Sequence, residues 1–401
     1  MVTLDQIKEA REVLSKVAYK TGLVHNTTLS EMSGNSVYLK MENLQKTGSF
    51  KIRGAYNKIA HLTEEEKQRG VIASSAGNHA QGVALGATSY GIKSTIVMPQ
   101  NAPLSKVSAT RKYGAEVVLH GVIYDEAYAM AKKIQEETGA TFIHPFNDPY
   151  VIAGQGTIGL EILEDLPDAD AVLVPIGGGG LISGVAIAVK SLNPKIKVIG
   201  VQTKNVPSMA VSISKNAVTT VDGAPTIADG IAVKTPGDLT FEIVQKYVDD
   251  IVTVDEDEIA SAILLLLERA KVVTEGSGAV PVAAILNRLT NMKNKKVVAI
   301  LSGGNIDVNV LARVIDKGLV KSGRKVFMDT FIPDRPGTLC KLLNLIAETG
   351  ANVLSVTHTR STKEVPMGYA KVELELETSD EEHIYRLKDV LIRHNYSINI
   401  Q

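Results

Sequence analysis

The sequence predicts an α/β protein of two lobes built on mostly parallel sheets, with a cleft between them, followed by a ferredoxin-like βαββαβ domain. Three observations carry this. From about residue 70, short β-branched runs alternate with helical ones. A second such series surrounds the four-glycine run "PIGGGGL" at 175–181. From residue 325 the order becomes strand, helix, two strands, helix, strand, over a domain-sized length.

Taken in order, "MVTLDQIKEAREVL" reads as a charged amphipathic helix, and "TGSFKIRGA" (47–55) as a helix start with Ser49 as N-cap. On that local pattern alone Lys51 is a solvated first-turn lysine. The first βαβ series follows. "GVIASS" is a strand, "NHAQGVALGATSYG" a helix closed by glycine, "KSTIVMP" a strand and "PLSKVSATRKYG" a helix. "AEVVLHG", "YDEAYAMAKKIQEETG" and "ATFIHP" continue as strand, helix and strand. The second series has helix 154–164, strand "ADAVLVPI", the glycine loop, helix 181–191 and strand "KVIGVQ". A loop-rich stretch at 203–238 precedes helix 257–269 and strand "KKVVAILSGG". Right-handed crossovers make such series parallel sheets. The basic, glycine-bearing "VIDKGLVKSGRK" reads as a connector. The expected domains are 1–318, with a smaller lobe of 43–146 inserted in the larger, a linker at 319–325, and 326–401.

Composition bounds the function. With 43 basic against 44 acidic residues, nothing electrostatic favours nucleic acid or an anionic membrane. The single cysteine, Cys340, allows no internal disulfide or cysteine metal cluster. The N-terminus lacks the apolar core of a signal peptide, and no apolar run is long enough for a bilayer, so a cytoplasmic protein is expected.

The glycine loop is the most informative stretch. Gly177, Gly178, Gly179 and Gly180 lie between strand and helix, where bare backbone N–H groups can converge on an anion at the positive helix end. It is neither a G-x-G-x-x-G fingerprint nor a P-loop, so a lone phosphate ester fits better than a dinucleotide or nucleoside triphosphate. "SSAGNHAQG" (74–82) is a second loop at a strand–helix junction, suited to a carboxylate or ring oxygen, or to an ordinary helix cap. "LSGGN" (301–305) is the third, with Ser302 at the cleft floor. A lysine, a phosphate cradle and two polar loops together suggest pyridoxal phosphate, with the lysine joined to it as a Schiff base.

"SFKIRGA", "SSAGNHAQG", "VIAGQGTIGLEI", "GGGGLISG" and "LSGGN", in this order, closely resemble the fold-type II pyridoxal-phosphate enzymes (the tryptophan synthase β-like fold), within the threonine dehydratase and serine racemase group. The resemblance covers about residues 5–315. "DRPGTLCKLLNLIAETGANV" resembles an ACT domain, a regulatory amino-acid-binding module, and the combination is similar to the threonine dehydratases with one such domain.

The resemblance implies roles. Lys51 matches the Schiff-base lysine and Phe50 the residue whose ring lies against the cofactor. Asn78 would bond the cofactor's phenolic oxygen. Gly177 to Gly180 and Leu181 would hold its phosphate, and Ser302 would face the pyridine nitrogen. Ser75, Asn78 and His79 lie in the loop that clasps the substrate carboxylate, with Glu275 of "TEGSGAV" near the amine. The turn from Asp334 to Gly337 leaves N–H groups at a helix N-terminus, suited to an effector amino acid's carboxylate, and Asn352 resembles the ACT position that contacts an effector's polar atoms. No metal is expected, because Gln202 and Ser208 appear where the racemases place acidic ligands. Asp229 alone makes no metal site.

The implied activity is deamination of L-threonine to 2-oxobutanoate and ammonia, and of serine to pyruvate. That would be the first committed step towards isoleucine, regulated by isoleucine or valine in a cytoplasmic homo-oligomer. A serine-directed dehydratase or racemase is the alternative, although Ala76 replaces the racemases' proton-carrying serine. A non-catalytic amino-acid sensor is the other, although Lys51 and the glycines are intact.

Overall fold

Strands rich in valine and isoleucine need cover on both faces, and the first unit of the chain provides it with helices. In chain order its strands are β1 (Leu23–His25), β2 (Ser36–Lys40), β3 (Val71–Ser74), β4 (Ser94–Met98), β5 (Glu116–Leu119), β6 (Thr141–Phe142), β7 (Ala171–Pro175), β8 (Lys197–Thr203), β9 (Asp250–Val254) and β10 (Lys296–Ile300). The chain is described by a computed structural model over residues 1–287 and 291–400, divided into the units Met1–Asp307 and Val308–Gln401.

The larger sheet has the order β1-β2-β10-β7-β8-β9, parallel except for β1. The smaller sheet, β5-β4-β3-β6, is parallel throughout. Its chain lies wholly between β2 and β7, so the smaller lobe is an insertion in the larger. Strand β10 returns from late in the chain to sit between β2 and β7. Ligands of open α/β sheets bind beyond strand C-termini at such reversals of strand order. The glycine loop follows β7, "SAGN" follows β3, and "SGGN" follows β10.

Each lobe has its own core. Val172, Val174, Val185, Val189 and Ile300 are among the buried side chains of the larger. Val71, Ala84, Ile96 and Ile143 belong to that of the smaller. The helices Pro149–Asp165 and Gly180–Leu192 cross in backbone contact, since a Cβ on Gly184 would meet the Gly156 nitrogen at 2.5 Å. No helix among the described residues is long and apolar enough to cross a membrane.

The second unit contains β11 (Lys325–Pro333), β12 (Asn352–Thr359), β13 (Tyr369–Glu377) and β14 (Ile398–Ile400), in the antiparallel order β12-β13-β11-β14. The helices Thr338–Glu348 and Glu381–Arg393 complete the expected βαββαβ plan. Alternate residues of β11, from Val326 to Ile332, are buried with Leu342, Ile346, Leu387 and Leu391 of these helices.

Two local expectations differ from the structure. The basic connector is mostly helix: Val308–Lys321 is continuous, and only 322–324 separate it from β11. Gly318 sits inside that helix at a cost of about 1 kcal/mol relative to alanine, while Gly323, at φ +66°, follows its end. Ser49 does not cap the helix Lys51–Ala60. The N-cap is Phe50, and the Ser49 hydroxyl is buried without a hydrogen-bond partner because its backbone is extended and bridged to Gly303.

Candidate active site

The helix Lys51–Ala60 begins at the cleft because its preceding turn is tied to the end of β10. The Phe50 N–H donates to the Ser302 carbonyl at 3.1 Å. Lys51 is thus placed in the first turn, yet it is no solvated lysine. Its Nζ donates to the Pro145 carbonyl at 2.8 Å and lies 5.2 Å from the Phe50 ring centroid. Burial pushes its amine down to about 8, with Glu275 pulling the other way. An amine in that range is a usable base and nucleophile near neutral pH.

The glycine loop has backbone on its inner side and packed atoms on the other. A Cβ on Gly178 would run into the Phe146 ring, one on Gly180 would lie 2.8 Å from Phe146 Cβ, and one on Gly177 would lie 3.0 Å from Ile231 Cα. Gly179 has φ +98°, which disfavours any side chain. Thr240 Oγ1 donates to the Gly178 carbonyl at 2.6 Å, turning that oxygen out of the loop. The N–H groups of Gly177, Gly178 and Gly179 donate to no protein acceptor among the described residues. Unpaired N–H groups at a helix N-terminus are the donor set a phosphate dianion requires, so the residues present fit pyridoxal phosphate.

Asn78 opens the helix Asn78–Ser89, and its Nδ2 donates to Glu275 Oε1 at 2.7 Å. Burial and the Asp229 carboxylate push the Glu275 carboxyl up to about 7, opposed by Lys106, Asn78 and Lys51. Asp229 itself pairs with Lys106 of the smaller lobe at 3.0 Å. Ser75 Oγ accepts from the Gly77 N–H at 3.2 Å, shaping the loop. The His79 imidazole points into the smaller lobe. Its Nε2 donates to the Ile143 carbonyl at 2.8 Å, and burial with nearby Lys51 pushes its pKa down to about 3. Ser302 is buried at the end of β10. Leu181 is buried in the first turn after the glycines.

The structure therefore gathers Lys51, the glycine loop, Asn78, Glu275 and Ser302 around one cleft. In the second unit it does not gather all three effector positions within the chain. Asp334 and Gly337 line a cavity of about 320 Å³ with Arg335, His358 and Arg360, and Arg360 Nε donates to Asp334 Oδ2 at 2.9 Å. Asn352 lies at the opposite end of β12, beside Glu377, to which its Nδ2 donates at 3.2 Å. No cluster of three or more His, Cys, Asp or Glu suited to a metal occurs among the described residues.

Other groups were not singled out from sequence. Arg53 lies two residues beyond Lys51 and bonds both carboxylates of a buried cluster: Glu42 at 2.8 Å and Glu161 at 2.6 Å. Lys40 Nζ reaches Glu161 at 2.6 Å. Burial alone would raise the Glu42 carboxyl, but Arg53 holds it below the usual range. An arginine at i+2 from the lysine was the visible signal, without its partners. Pro145 and Phe146, in "IHPFND", carried no such signal.

Residues 14–303 match the family model for pyridoxal-phosphate dependent enzymes, and 329–391 match the ACT domain. The chain is 65% identical to an L-threonine ammonia-lyase of Thermotoga maritima over 400 residues, covering all of both chains. Among solved structures it is similar to maize serine racemase, with TM-score 0.75 and 39% identity over 80% of this chain and 98% of that one. The processed threonine deaminase isoform 2 of Solanum lycopersicum has the same TM-score, 0.75, with 40% identity over 78% of this chain and 87% of that one. By its motifs, its cleft and these matches, the chain belongs to the pyridoxal-phosphate dependent enzymes, in the threonine ammonia-lyase group that carries a C-terminal ACT domain.

Proposed function

We propose that the chain deaminates L-threonine to 2-oxobutanoate and ammonia, and L-serine to pyruvate, using Lys51 as the cofactor-bearing lysine. The observation that carries this is the buried Lys51 amine, held at about 8, in the same cleft as the unpaired N–H groups of the glycine loop. End-to-end identity to an L-threonine ammonia-lyase supports the substrate. Bound pyridoxal phosphate supplies an electron sink conjugated to the substrate amine.

The residues divide the remaining work. Gly177 to Gly180 and Leu181 would hold the phosphate through backbone N–H groups, with the Phe50 side chain against the cofactor. Asn78 would donate to its ring oxygen, and Ser302 would serve its ring nitrogen. A hydroxyl there would not hold that nitrogen protonated as an aspartate would, which would favour loss of a β-leaving group over reprotonation. Lys51 takes the α-proton from the substrate, a step its uncharged amine can perform near pH 8. The Ser75–His79 segment receives the substrate carboxylate at its helix N-terminus, and Glu275 receives the ammonium. Loss of the β-hydroxyl as water and later addition of water to the product balance the reaction.

Serine racemisation is the second reading, favoured by the likeness to maize serine racemase. The methyl of Ala76 disfavours it, since it can carry no proton to the second substrate face.

The ACT domain adds regulation by an amino acid, isoleucine or valine, at the cavity beside Asp334 and Gly337. Regulation by these amino acids would suit the committed step towards isoleucine, and the reading includes a cytoplasmic homo-oligomer. A coupled 2-oxoacid assay on threonine and serine, with and without branched-chain amino acids, tests this. Turnover of threonine above serine, altered by one of these effectors, is expected. Absence of 2-oxobutanoate would overturn the substrate assignment, and an unaltered rate the effector assignment.

A further inference from the structure

Asn305 ends the "LSGGN" run and has no part in the account above. Its Nδ2 donates twice, to the Thr47 carbonyl at 2.7 Å and to Asn78 Oδ1 at 2.7 Å. Asn78 Nδ2 in turn donates to Glu275 Oε1 at 2.7 Å. We propose that Asn305 is a positioning residue that fixes the orientation of the Asn78 amide and locks it to the segment delivering Lys51.

The orientation follows from counting donors. A primary amide offers two N–H donors and one acceptor oxygen. Both donors of Asn305 are engaged by carbonyl oxygens. Turning the Asn78 amide over would set its NH2 against that of Asn305, and its oxygen against the Glu275 carboxylate. The bond to Asn305 would become a repulsion, and so would the bond to Glu275 wherever its carboxyl is ionised. Asn78 is thereby held with its donor end toward Glu275 and the cleft. One of its two hydrogens goes to Glu275, and the other makes no hydrogen bond among the described residues. That hydrogen is the one available to a cofactor's ring oxygen.

The second bond of Asn305 acts on Lys51. Thr47 and Gly48 are consecutive left-handed residues, at φ +64° and +71°. A threonine in that region costs about 1–2 kcal/mol, so something must hold it. A Cβ on Gly48 would run into the Asn305 side chain, which the turn encloses. The Gly304 N–H donates to the Gly48 carbonyl at 2.9 Å, and Ser49 bridges Gly303. The Glu275 N–H donates to the Gly303 carbonyl at 3.1 Å. The Asn305 side chain therefore joins the segment ahead of Lys51 to the start of the Asn78 helix, and its own turn carries Glu275.

The proposal rests on the cleft being the cofactor site and is independent of the substrate. The test strips the full-length enzyme of cofactor and titrates it back with pyridoxal phosphate, reading Kd and the pH midpoint of the visible cofactor band. Asn305→Asp has no N–H to offer Asn78 and should reverse its amide. It is expected to raise the cofactor Kd about tenfold or more, the scale of one hydrogen bond to a charged group, and to move the band's midpoint. Asn305→Ala, which adds no charge, should change both in the same direction by less, and it serves if the aspartate variant does not fold. In an Asn78→Ala background, Asn305→Ala should have a clearly smaller effect than in the wild type, because coupled residues are not additive and only its Thr47 bond is left to lose. Wild-type Kd and midpoint in both single variants would overturn the proposal. So would an undiminished effect of Asn305→Ala in the Asn78→Ala background. A wild-type chain that gives no cofactor band would overturn the cofactor reading itself, a different result from either.

Discussion

The Lys51 amine donates to the carbonyl oxygen of Pro145 at 2.8 Å, so the lysine at the head of its helix is aimed across the cleft before any substrate enters. Burial opposes its charge and brings its pKa to about 8. Reconstitution of the cofactor-free enzyme requires the uncharged amine. Its rate should rise with pH and level off just above 8, instead of climbing towards the ordinary lysine value of 10.5. Stopped-flow absorbance across pH 6–11 checks this, and a midpoint near 10.5 would refute the burial argument. Lys51→Ala should retain noncovalent cofactor while losing turnover by more than the factor of about 10²–10⁴ typical of a lost general base.

Glu275 should set an acidic limb. Its carboxyl is pushed up to about 7, so it is mostly neutral below that pH and an anion above it. If the anion receives the substrate ammonium, kcat/KM rises through pH 7. Glu275→Gln should flatten that limb and lower the plateau by about 10- to 100-fold, the scale of a charge-assisted hydrogen bond. An unchanged pH profile would remove Glu275 from the substrate site.

Arg53→Leu should cost about 3–5 kcal/mol, because it leaves Glu42 and Glu161 buried beside a single remaining cation, Lys40. The urea midpoint reads this directly. A shift worth under about 1 kcal/mol would mean that water reaches the cluster, contrary to the near-complete burial of Arg53 at 1% exposure.

Ala76→Ser supplies a hydroxyl on the loop proposed to receive the substrate. Serine incubated with this variant should yield D-serine above the wild-type level, measured by chiral chromatography. The gain depends on the tilt and acidity of the new hydroxyl. No increase would mean that the second substrate face is served by another group.

Much of the fold was legible because period and punctuation agree. The alternation in "KVFMDTFIP" and "GYAKVELELE" matches β11 and β13, and four consecutive glycines between a strand and a helix left little but an anion site. What escaped were relations across long sequence separation. Strand β10 inserts between β2 and β7, and no local pattern encodes which neighbour it takes. Arg53 meets Glu161 across 108 positions, and Asn305 meets Asn78 across 227. Ser49 shows the converse error. Its composition suits an N-cap, but the bridge to Gly303 holds its backbone extended and buries its hydroxyl. The stretch "VIDKGLVKSGRK" is mostly helix because glycine is a weak helix breaker, and the apolar residues either side of Gly318 outweigh it.

The helix that begins with Lys51 crosses Pro149–Asp165 at two glycines. A Cβ on Gly54 would lie 2.7 Å from the Val151 carbonyl oxygen, and one on Gly154 would lie 2.8 Å from Gly54 Cα. The two backbones approach closely here, with the Val151 and Gln155 side chains beside Gly54, and no β-ladder among the described residues joins the two sheets. The arrangement is that of a lever with its fulcrum beside the load. A rotation of one lobe about the crossing would carry the far rim of the cleft through a wide arc. Lys51, three positions from Gly54, would move through a small one, so the rim could swing while the lysine stayed nearly still.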